Sequence, residues 1–233
     1  MFNSKLWKRI QSFLTFFKRQ LIAYRSSLVI LLIGVFLPLF IFGELAEDVW
    51  ENKGGFPWDV DILLAIHSTA QPQLDVFALI VTQLGVFWGV FPVATIIALA
   101  LLVKRRWHQL AYLVTTLLGS IIINRTAKVL LHRVRPHLWE SPAPELDYGF
   151  PSGHAMSSMT LVAVLVILTW GSRWFWLVLI AGAVFVLLIG WTRLYLGVHY
   201  PSDILAGWTV SVAWATGVSL LIKPHRTKRI SSR

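Results

Sequence analysis

The sequence predicts an all-α fold: an integral membrane six-helix bundle with its N- and C-termini in the cytoplasm. Hydrophobic residues make up 56% of the 233 residues and charged residues only 14%, where about 25% is usual in soluble domains. Six apolar stretches are long enough to cross a bilayer, and basic residues gather in alternate connections between them. The sequence contains no Cys, which excludes a disulfide framework, a thiolate nucleophile and a Cys metal site.

Six stretches without Asp, Glu, Lys or Arg are the predicted spans. A helix that rises about 1.5 Å per residue needs roughly 20 apolar residues to cross a hydrocarbon core of about 30 Å. The stretches are residues 26–43, 76–103, 107–124, 148–172, 174–192 and 204–222. The second is the longest, which predicts that it tilts or that its first turns lie in the interface. One such stretch could be a buried helix of a soluble protein, but six leave no polar shell to enclose them.

Charge distribution predicts the domain layout and the orientation. We expect a basic amphipathic N-terminal segment at 1–25, a six-span membrane domain at 26–222 and a basic cytoplasmic tail at 223–233. Segments 1–25, 104–106, 171–173 and 223–233 hold 15 of the 21 Lys and Arg residues, as the positive-inside rule requires of inner connections. The net charge of +10 is therefore explained by residues that face anionic lipid, and no nucleic-acid partner is predicted. For residues 1–25 an interfacial helix and a loosely ordered basic tail are equally consistent.

Ionisable residues cluster at the outer ends of spans three to six, whereas the outer connection 44–75 carries no predicted chemistry, only a short helix near 62–67. The first cluster runs from Lys128 to Pro136. Seven residues at about 100° each make nearly two turns, so Lys128 and Arg135 are predicted to share a helix face that Pro136 ends. Taken alone, this basic helix end is equally consistent with side chains that snorkel to lipid headgroups.

The second cluster, residues 151–154, comes directly before the fourth span. Ser152 is a predicted N-cap, and Gly153 allows a ligand to approach the backbone. The first-turn amides and the helix dipole then form an anion site with His154 at its edge. A plain helix cap after a turn is the alternative for Pro-Ser-Gly, and the adjacent His favours a functional role.

The third cluster runs from Thr192 to Asp203 and joins spans five and six. Pro201 and Asp203 suit a first helical turn. A carboxylate four residues after His199 can also hold one imidazole nitrogen and leave the other free as a nucleophile. The alternative is that Asp203 only caps the helix and His199 is a loop residue.

Together the clusters supply three cations, two imidazoles, a carboxylate and a helix N-terminus at one membrane face. This set suits phosphoryl transfer, whose transition state spreads negative charge over three oxygens. The cations Lys128, Arg135 and Arg193 and the amides of Ser152 and Gly153 could hold that charge without a metal ion. A metal site is disfavoured because no paired-His helix motif is present and three nearby cations would repel a divalent ion. No cofactor is therefore predicted.

In order and spacing these residues resemble the type 2 phosphatidic acid phosphatase family in its bacterial membrane form, part of the lipid phosphate phosphatase and vanadium haloperoxidase superfamily. The family pattern Lys-x6-Arg-Pro, Pro-Ser-Gly-His and Ser-Arg-x5-His-x3-Asp is matched at ten positions, with Thr192 in place of the Ser. The resemblance implies that His199 attacks phosphorus to give a phosphohistidine, that Asp203 orients it and that His154 protonates the leaving group. The residues that it implies bind phosphate are Lys128, Arg135, Ser152, Gly153 and Arg193. His132, His137, Arg125 and Arg133 match no motif position.

The expected function is hydrolysis of a phosphatidate-type lipid phosphate at the non-cytoplasmic face of the cell membrane, without a metal. Undecaprenyl diphosphate and phosphatidylglycerophosphate are alternative substrates, because each carries a terminal phosphate on an apolar anchor. A non-catalytic protein that binds or transports lipid phosphate is the alternative of another class. Haloperoxidase chemistry with vanadate is a third reading, disfavoured by a site at the level of the lipid.

Overall fold

The regular structure is helical throughout the described residues. The computed structural model describes residue 25 and residues 27–52 and 56–225. Within these residues a π-helical segment, Leu32–Phe36, leads into the first of eight α-helices: α1 Leu37–Asn52, α2 Pro57–His67, α3 Pro72–Leu84, α4 Val90–Val103, α5 Trp107–Leu131, α6 Gly153–Leu168, α7 Phe175–Tyr195 and α8 Pro201–Ile222. The all-α prediction is confirmed. The basic amphipathic segment predicted at 1–25, apart from residue 25, and most of the tail 223–233 lie outside the described residues.

Among the described residues, four helices are long and apolar enough to cross a membrane: Ser27–Glu51, Trp107–Leu131, Phe175–Tyr195 and Pro201–Ile222. The helices α3, α4 and α6 are apolar but shorter. Large apolar side chains such as Phe40, Ile80, Trp88, Ile122 and Trp176 are each more than half exposed. Such a surface suits lipid rather than water, as a multi-pass membrane protein requires.

The structure interrupts the single helix expected over 76–103. Helix α3 ends at Leu84 and α4 begins at Val90, with a turn over residues 85–89. A Cβ built on Gly89 would lie 2.2 Å from the Leu84 carbonyl oxygen, so only glycine fits at this position. The excess length of the second stretch therefore belongs to two helices rather than to one tilted helix.

Helices α6 and α8 form the central pair of the bundle. Helix α6 packs against α5, α7 and α8, and α8 also packs against α1 and α5. The two helices approach closely at Gly207, where an added Cβ would lie 3.2 Å from the Ala155 Cβ, as small residues allow in membrane bundles. The Ser152 amide donates to the Asp203 carbonyl at 3.1 Å. The N-terminal ends of α6 and α8 therefore lie side by side.

Helix α5 ends five residues before Pro136, where the sequence predicted its end. His132 adopts the left-handed conformation with φ 48°, and its amide donates to the Lys128 carbonyl at 3.2 Å. This residue turns the chain out of the helix and into the irregular segment that precedes α6. The prediction that Lys128 and Arg135 share a helix face is therefore wrong, and a turn rather than a helical repeat brings them together.

Candidate active site

The three motif clusters meet at one end of the bundle. Helices α5 and α7 contribute their C-terminal ends, which carry Lys128 and Arg193, and α6 and α8 contribute their N-terminal ends, which carry His154 and Asp203. His199 lies in the loop between α7 and α8, and Arg135 lies in the segment after α5. The alternating direction of the helices brings residues that are far apart in sequence to the same level.

His199 is buried and held at both ring nitrogens. Its Nδ1 lies 3.3 Å from Asp203 Oδ2, and its Nε2 lies 2.9 Å from Arg135 Nη1. A guanidinium can only donate, so Nε2 accepts and the ring proton lies on Nδ1, toward Asp203. Burial, and then the charges of Arg135 and Arg193, hold the pKa of His199 well below its usual value. The imidazole is therefore neutral, with its Nε2 lone pair facing the cations.

Two acidic residues link the three cations. Lys128 Nζ donates to Asp147 Oδ2 and to the Tyr148 carbonyl, each at 2.6 Å, which uses two of its three protons. Burial alone would raise the pKa of Asp147, but hydrogen bonds from Lys128 and Arg135 outweigh it and hold that pKa below its usual value. The Asp147 carboxylate therefore remains charged between these two cations.

Glu145 bridges the two arginines. Its Oε2 pairs with Arg135 at 2.5 Å and its Oε1 pairs with Arg193. Arg193 also donates to Thr82 Oγ1 at 2.7 Å, which ties the end of α3 to the site. The same Glu145 oxygen that pairs with Arg135 lies 4.0 Å from His199 Nε2. A carboxylate, an anion like phosphate, thus lies beside the nitrogen that the sequence marks as the nucleophile.

The segment from Pro151 to His154 is fixed from two sides. Ser152 caps α6, with its Oγ accepting from the Ala155 amide at 3.5 Å, and Asn124 donates to the Pro151 carbonyl at 3.0 Å. The Ser152 amide, expected to face an anion, instead donates to the backbone carbonyl of Asp203 and is not free to bind phosphate. A Cβ on Gly153 would touch only Asn124 Oδ1, at 3.5 Å, so protein packing does not require a glycine there.

His154 lies in the first turn of α6, against the turn between α3 and α4. A Cβ on Gly85 would lie 3.2 Å from the His154 ring, and Ser157 Oγ donates to the Gly85 carbonyl at 2.5 Å. Among the described residues no group hydrogen-bonds to the His154 imidazole. Its nitrogens are therefore free to exchange a proton with a bound molecule.

A cavity of about 600 Å³ joins the charged groups to an apolar groove between α3, α4, α5 and α6. Along α5 its lining changes from Leu117 and Ile121 to Lys128, a rise of about 16 Å. The apolar side chains from the α3–α4 turn and α4 include Phe87, Val90, Phe91 and Ala94, and the charged or titratable ones are Arg125, Lys128, Glu145, Asp147, His154 and Arg193. The cavity suits a molecule with an anionic head and an apolar chain.

Sequence reasoning missed four charged residues of this region. Glu145 and Asp147 occur in the irregular segment between the first two motifs, and nothing in their local pattern marks them. Arg133 was noted only as a residue outside the motifs, yet it is fully buried and pairs with both Asp59 and Asp203. The partner Asp59 lies in the first turn of α2, in the connection to which the sequence assigned no chemistry.

The family model described as PAP2 superfamily matches residues 109–226. Phosphatidylglycerophosphatase B of Bacillus subtilis is 30% identical over 184 residues, which cover 75% of this chain and 88% of the relative. The chain belongs to the PAP2 superfamily. Undecaprenyl-diphosphatase of Sulfolobus acidocaldarius is 29% identical over 198 residues, 83% of this chain and 90% of the relative. The resemblance that the motifs indicated is thereby confirmed.

The same family relationship is found in three dimensions. The crystal structure of a transmembrane PAP2 type phosphatidylglycerolphosphate phosphatase from Bacillus subtilis superimposes with a TM-score of 0.73 at 25% identity, and the match covers 84% of this chain and 99% of that one. The PAP2 match in sequence contains all of α6, α7 and α8 and nearly all of α5. These four helices and the segments that connect them carry the motif clusters of this PAP2 protein.

Proposed function

We propose that this PAP2 protein is a membrane phosphatase that removes a terminal phosphate from a lipid through a phosphohistidine at His199. The observation that carries the proposal is the position of the buried His199 imidazole, whose Nε2 lies 2.9 Å from Arg135 Nη1 while its Nδ1 lies 3.3 Å from Asp203 Oδ2. A binding protein would need the cations but not an imidazole oriented in this way.

In the first step the Nε2 lone pair attacks phosphorus and the bond to the leaving oxygen breaks. Lys128, Arg135 and Arg193 balance the charge on the three non-bridging oxygens, together with the first-turn amide of Gly153. His154 gives a proton to the leaving oxygen. The His199 ring becomes positively charged once Nε2 carries the phosphoryl group while Nδ1 keeps its proton, and Asp203 balances this charge.

In the second step water attacks the phosphohistidine, the P–N bond breaks and inorganic phosphate leaves. His154, now neutral, takes the proton from water, as microscopic reversibility requires. Both histidines return to their starting forms, so each cycle consumes one lipid phosphate and one water and releases the lipid leaving group and inorganic phosphate. None of these steps requires a metal ion or a cofactor.

We place the site at the non-cytoplasmic face, with six crossings and both termini inside. Neither α3 nor α4, of 13 and 14 residues, reaches across a core of about 30 Å, so the two together make the second crossing. The remaining crossings are Ser27–Glu51, α5, α7 and α8, together with α6, whose 16 residues rise only about 24 Å, so that flanking residues must complete its crossing. The support for this orientation is the concentration of Lys and Arg in the opposite connections.

The substrate class is a membrane lipid with a terminal phosphate. The apolar groove beside His154 suits the chain of such a lipid, and the cations suit its head. Phosphatidate-type monoesters, phosphatidylglycerophosphate and undecaprenyl diphosphate all meet this description. Similarity to the two relatives named above supports the latter two as candidates alongside phosphatidate.

The test is phosphate release by the purified protein in detergent from each of the three lipids, with a chelator and no added metal. We expect release from at least one lipid, and its loss by at least a thousandfold in His199→Ala. His225→Ala is a matched control because His225 is exposed and lies far along the chain from the motif residues, with its ring against the Ile167 carbonyl at 2.6 Å. Phosphate release from none of the lipids, or equal turnover in His199→Ala, would contradict the proposal.

A further inference from the structure

Arg133 and Asp59 form a fully buried ion pair beside the proposed nucleophile. Both side chains are 0% exposed, and Arg133 Nη2 lies 2.7 Å from Asp59 Oδ2. The other terminal nitrogen, Nη1, lies 2.5 Å from Asp203 Oδ1, and Asp203 is also 0% exposed. Burying three charges is costly unless each gains strong partners, so this arrangement requires an explanation beyond the general charge of the outer face.

The contacts of Asp203 leave it a single orientation. Its Oδ1 accepts from Arg133, while its Oδ2 accepts from the Tyr200 amide at 2.8 Å and from the His199 imidazole. Because the two oxygens have different donors, the carboxylate cannot rotate without losing a charge-assisted hydrogen bond. Arg133 therefore fixes the oxygen that holds the Nδ1 proton of His199.

Asp59 holds the far side of this arrangement. Its Oδ1 accepts from the Ser202 amide at 2.9 Å, and its Oδ2 accepts from the Ser202 hydroxyl at 2.5 Å. Asp59 also caps its own helix through the Phe56 amide at 3.1 Å. The first turn of α2 is thus attached to the first turn of α8, which carries Asp203.

The charges of this group have a consequence for His199. One guanidinium between two carboxylates leaves a net charge of −1 in a buried region. Without Asp59, Arg133 would neutralise Asp203 and remove most of its effect on the imidazole. Tyr200 covers the guanidinium at 4.4 Å from its ring centroid, which limits screening of these charges by water.

We propose that Arg133 and Asp59 are positioning residues that fix Asp203 and keep its negative charge effective toward His199. The inference rests on the proposed function, because the charge of Asp203 matters to catalysis only if His199 becomes cationic during the reaction. Neither residue touches the phosphate in this account, so both act on the rate of the chemical step rather than on substrate binding.

Asp59→Asn tests the charge argument because it keeps the size of the side chain and removes its charge. We expect kcat to fall about 10- to 100-fold and KM to change less than twofold. This range follows from the loss of one charge that is separated from the His199 ring by the side chains of Arg133 and Asp203, at an effective dielectric constant near 20. Asp61→Asn is the matched control, since Asp61 is exposed on the same helix. We expect it to keep wild-type kcat.

The double variant Asp59→Asn/Arg133→Gln separates positioning by charge from a structural role. It removes one charge of each sign and restores the net −1 on Asp203, so we expect kcat at least threefold above that of Asp59→Asn. A merely structural role predicts a double variant equal to or worse than the single one. Removing both members of a buried ion pair destabilises a protein less than removing one member, so the double variant can be measured if Asp59→Asn does not fold.

In that case the kcat of the double variant tests the positioning role by itself. We expect it to be about tenfold below wild type, with KM unchanged.

The outcomes separate this inference from the proposed function. Wild-type turnover that disappears in His199→Ala, together with wild-type kcat in Asp59→Asn or no recovery in the double variant, would overturn the positioning role alone. If Asp59→Asn does not fold, wild-type kcat in the double variant would overturn the positioning role. Turnover that persists in His199→Ala would overturn the proposed function, whatever Asp59→Asn does.

Discussion

The carboxylate of Glu145 occupies donors of Arg135 and Arg193 that the proposed mechanism assigns to the substrate phosphate, which predicts that Glu145→Gln binds substrate more tightly. Its ion pairs with Arg135 and Arg193 must both break before those groups can hold phosphate. The side chain of Glu145 is 28% exposed, and those of Arg135 and Arg193 are 6% and 1% exposed. The free energy of each ion pair therefore lies between the value of an exposed pair, about 0.5 kcal/mol, and the larger value of a buried pair. At about 1 kcal/mol each, their loss lowers KM roughly 10- to 30-fold.

The assay is phosphate release from a short-chain phosphatidate in mixed micelles, with vanadate inhibition measured in parallel. We expect kcat within threefold of wild type and a vanadate Ki that falls by the same factor as KM. Glu140→Gln is the control, because Glu140 is exposed in the same segment and has no ion pair within the described part of the chain. An unchanged or raised KM in Glu145→Gln would refute the competition and would mean that Glu145 holds the arginines in their productive positions.

Three further predictions concern the site and the fold. Gly153→Ala should change the free energy of unfolding by less than about 1 kcal/mol, because the added Cβ meets no protein atom closer than 3.5 Å. It should lower kcat/KM at least tenfold, because in the proposed mechanism this Cβ would stand where phosphate approaches. Activity equal to wild type would contradict this prediction. Imidazole ¹⁵N spectra, assigned by comparison with His199→Ala, should show His199 neutral and protonated at Nδ1 at pH 6. A His199 imidazolium that titrates near pH 6.5 would contradict the lowered pKa of this residue. Gly89→Ala should lower the free energy of unfolding in detergent by about 2 kcal/mol, whereas Gly217→Ala, whose Cβ meets nothing within 4 Å, should not. Equal effects would contradict the clash with the Leu84 carbonyl at this turn.

The pKa of His199 also sets the sign of a stability effect. Its folded-state pKa lies well below the usual value, so below about pH 6.5 the unfolded chain binds a proton that the folded protein does not. The contribution of this group to stability is therefore fully present above that pH and is lost as the pH falls toward the folded pKa. This dependence should weaken in His199→Ala.

The sequence predicted the helices and the motif residues because both depend on local patterns. Apolar stretches determine where helices form, and the spacing from Lys128 to Asp203 marks a family. The break at Gly89 was not predicted because the apolar run continues through it, and the end of α5 was misplaced because His132 adopts a conformation that its sequence does not demand.

Pairings between distant residues were out of reach for a different reason. Arg133 and Asp59 are 74 residues apart, and neither lies in a pattern that indicates the other. Glu145 and Asp147 likewise acquire meaning only when the irregular segment folds back over Lys128 and Arg135. Such contacts arise from packing of α2 and of this segment against the bundle, which local periodicity does not encode.

Trapping of the phosphoenzyme tests the central claim most directly. The purified protein is mixed with a lipid carrying a ³²P-labelled terminal phosphate and quenched within the first turnover. We predict label that is stable in base and labile in acid, absent in His199→Ala, and slower both to form and to disappear in His154→Ala. Label that persists in His199→Ala, or turnover with no trapped label under any quench, would contradict the account.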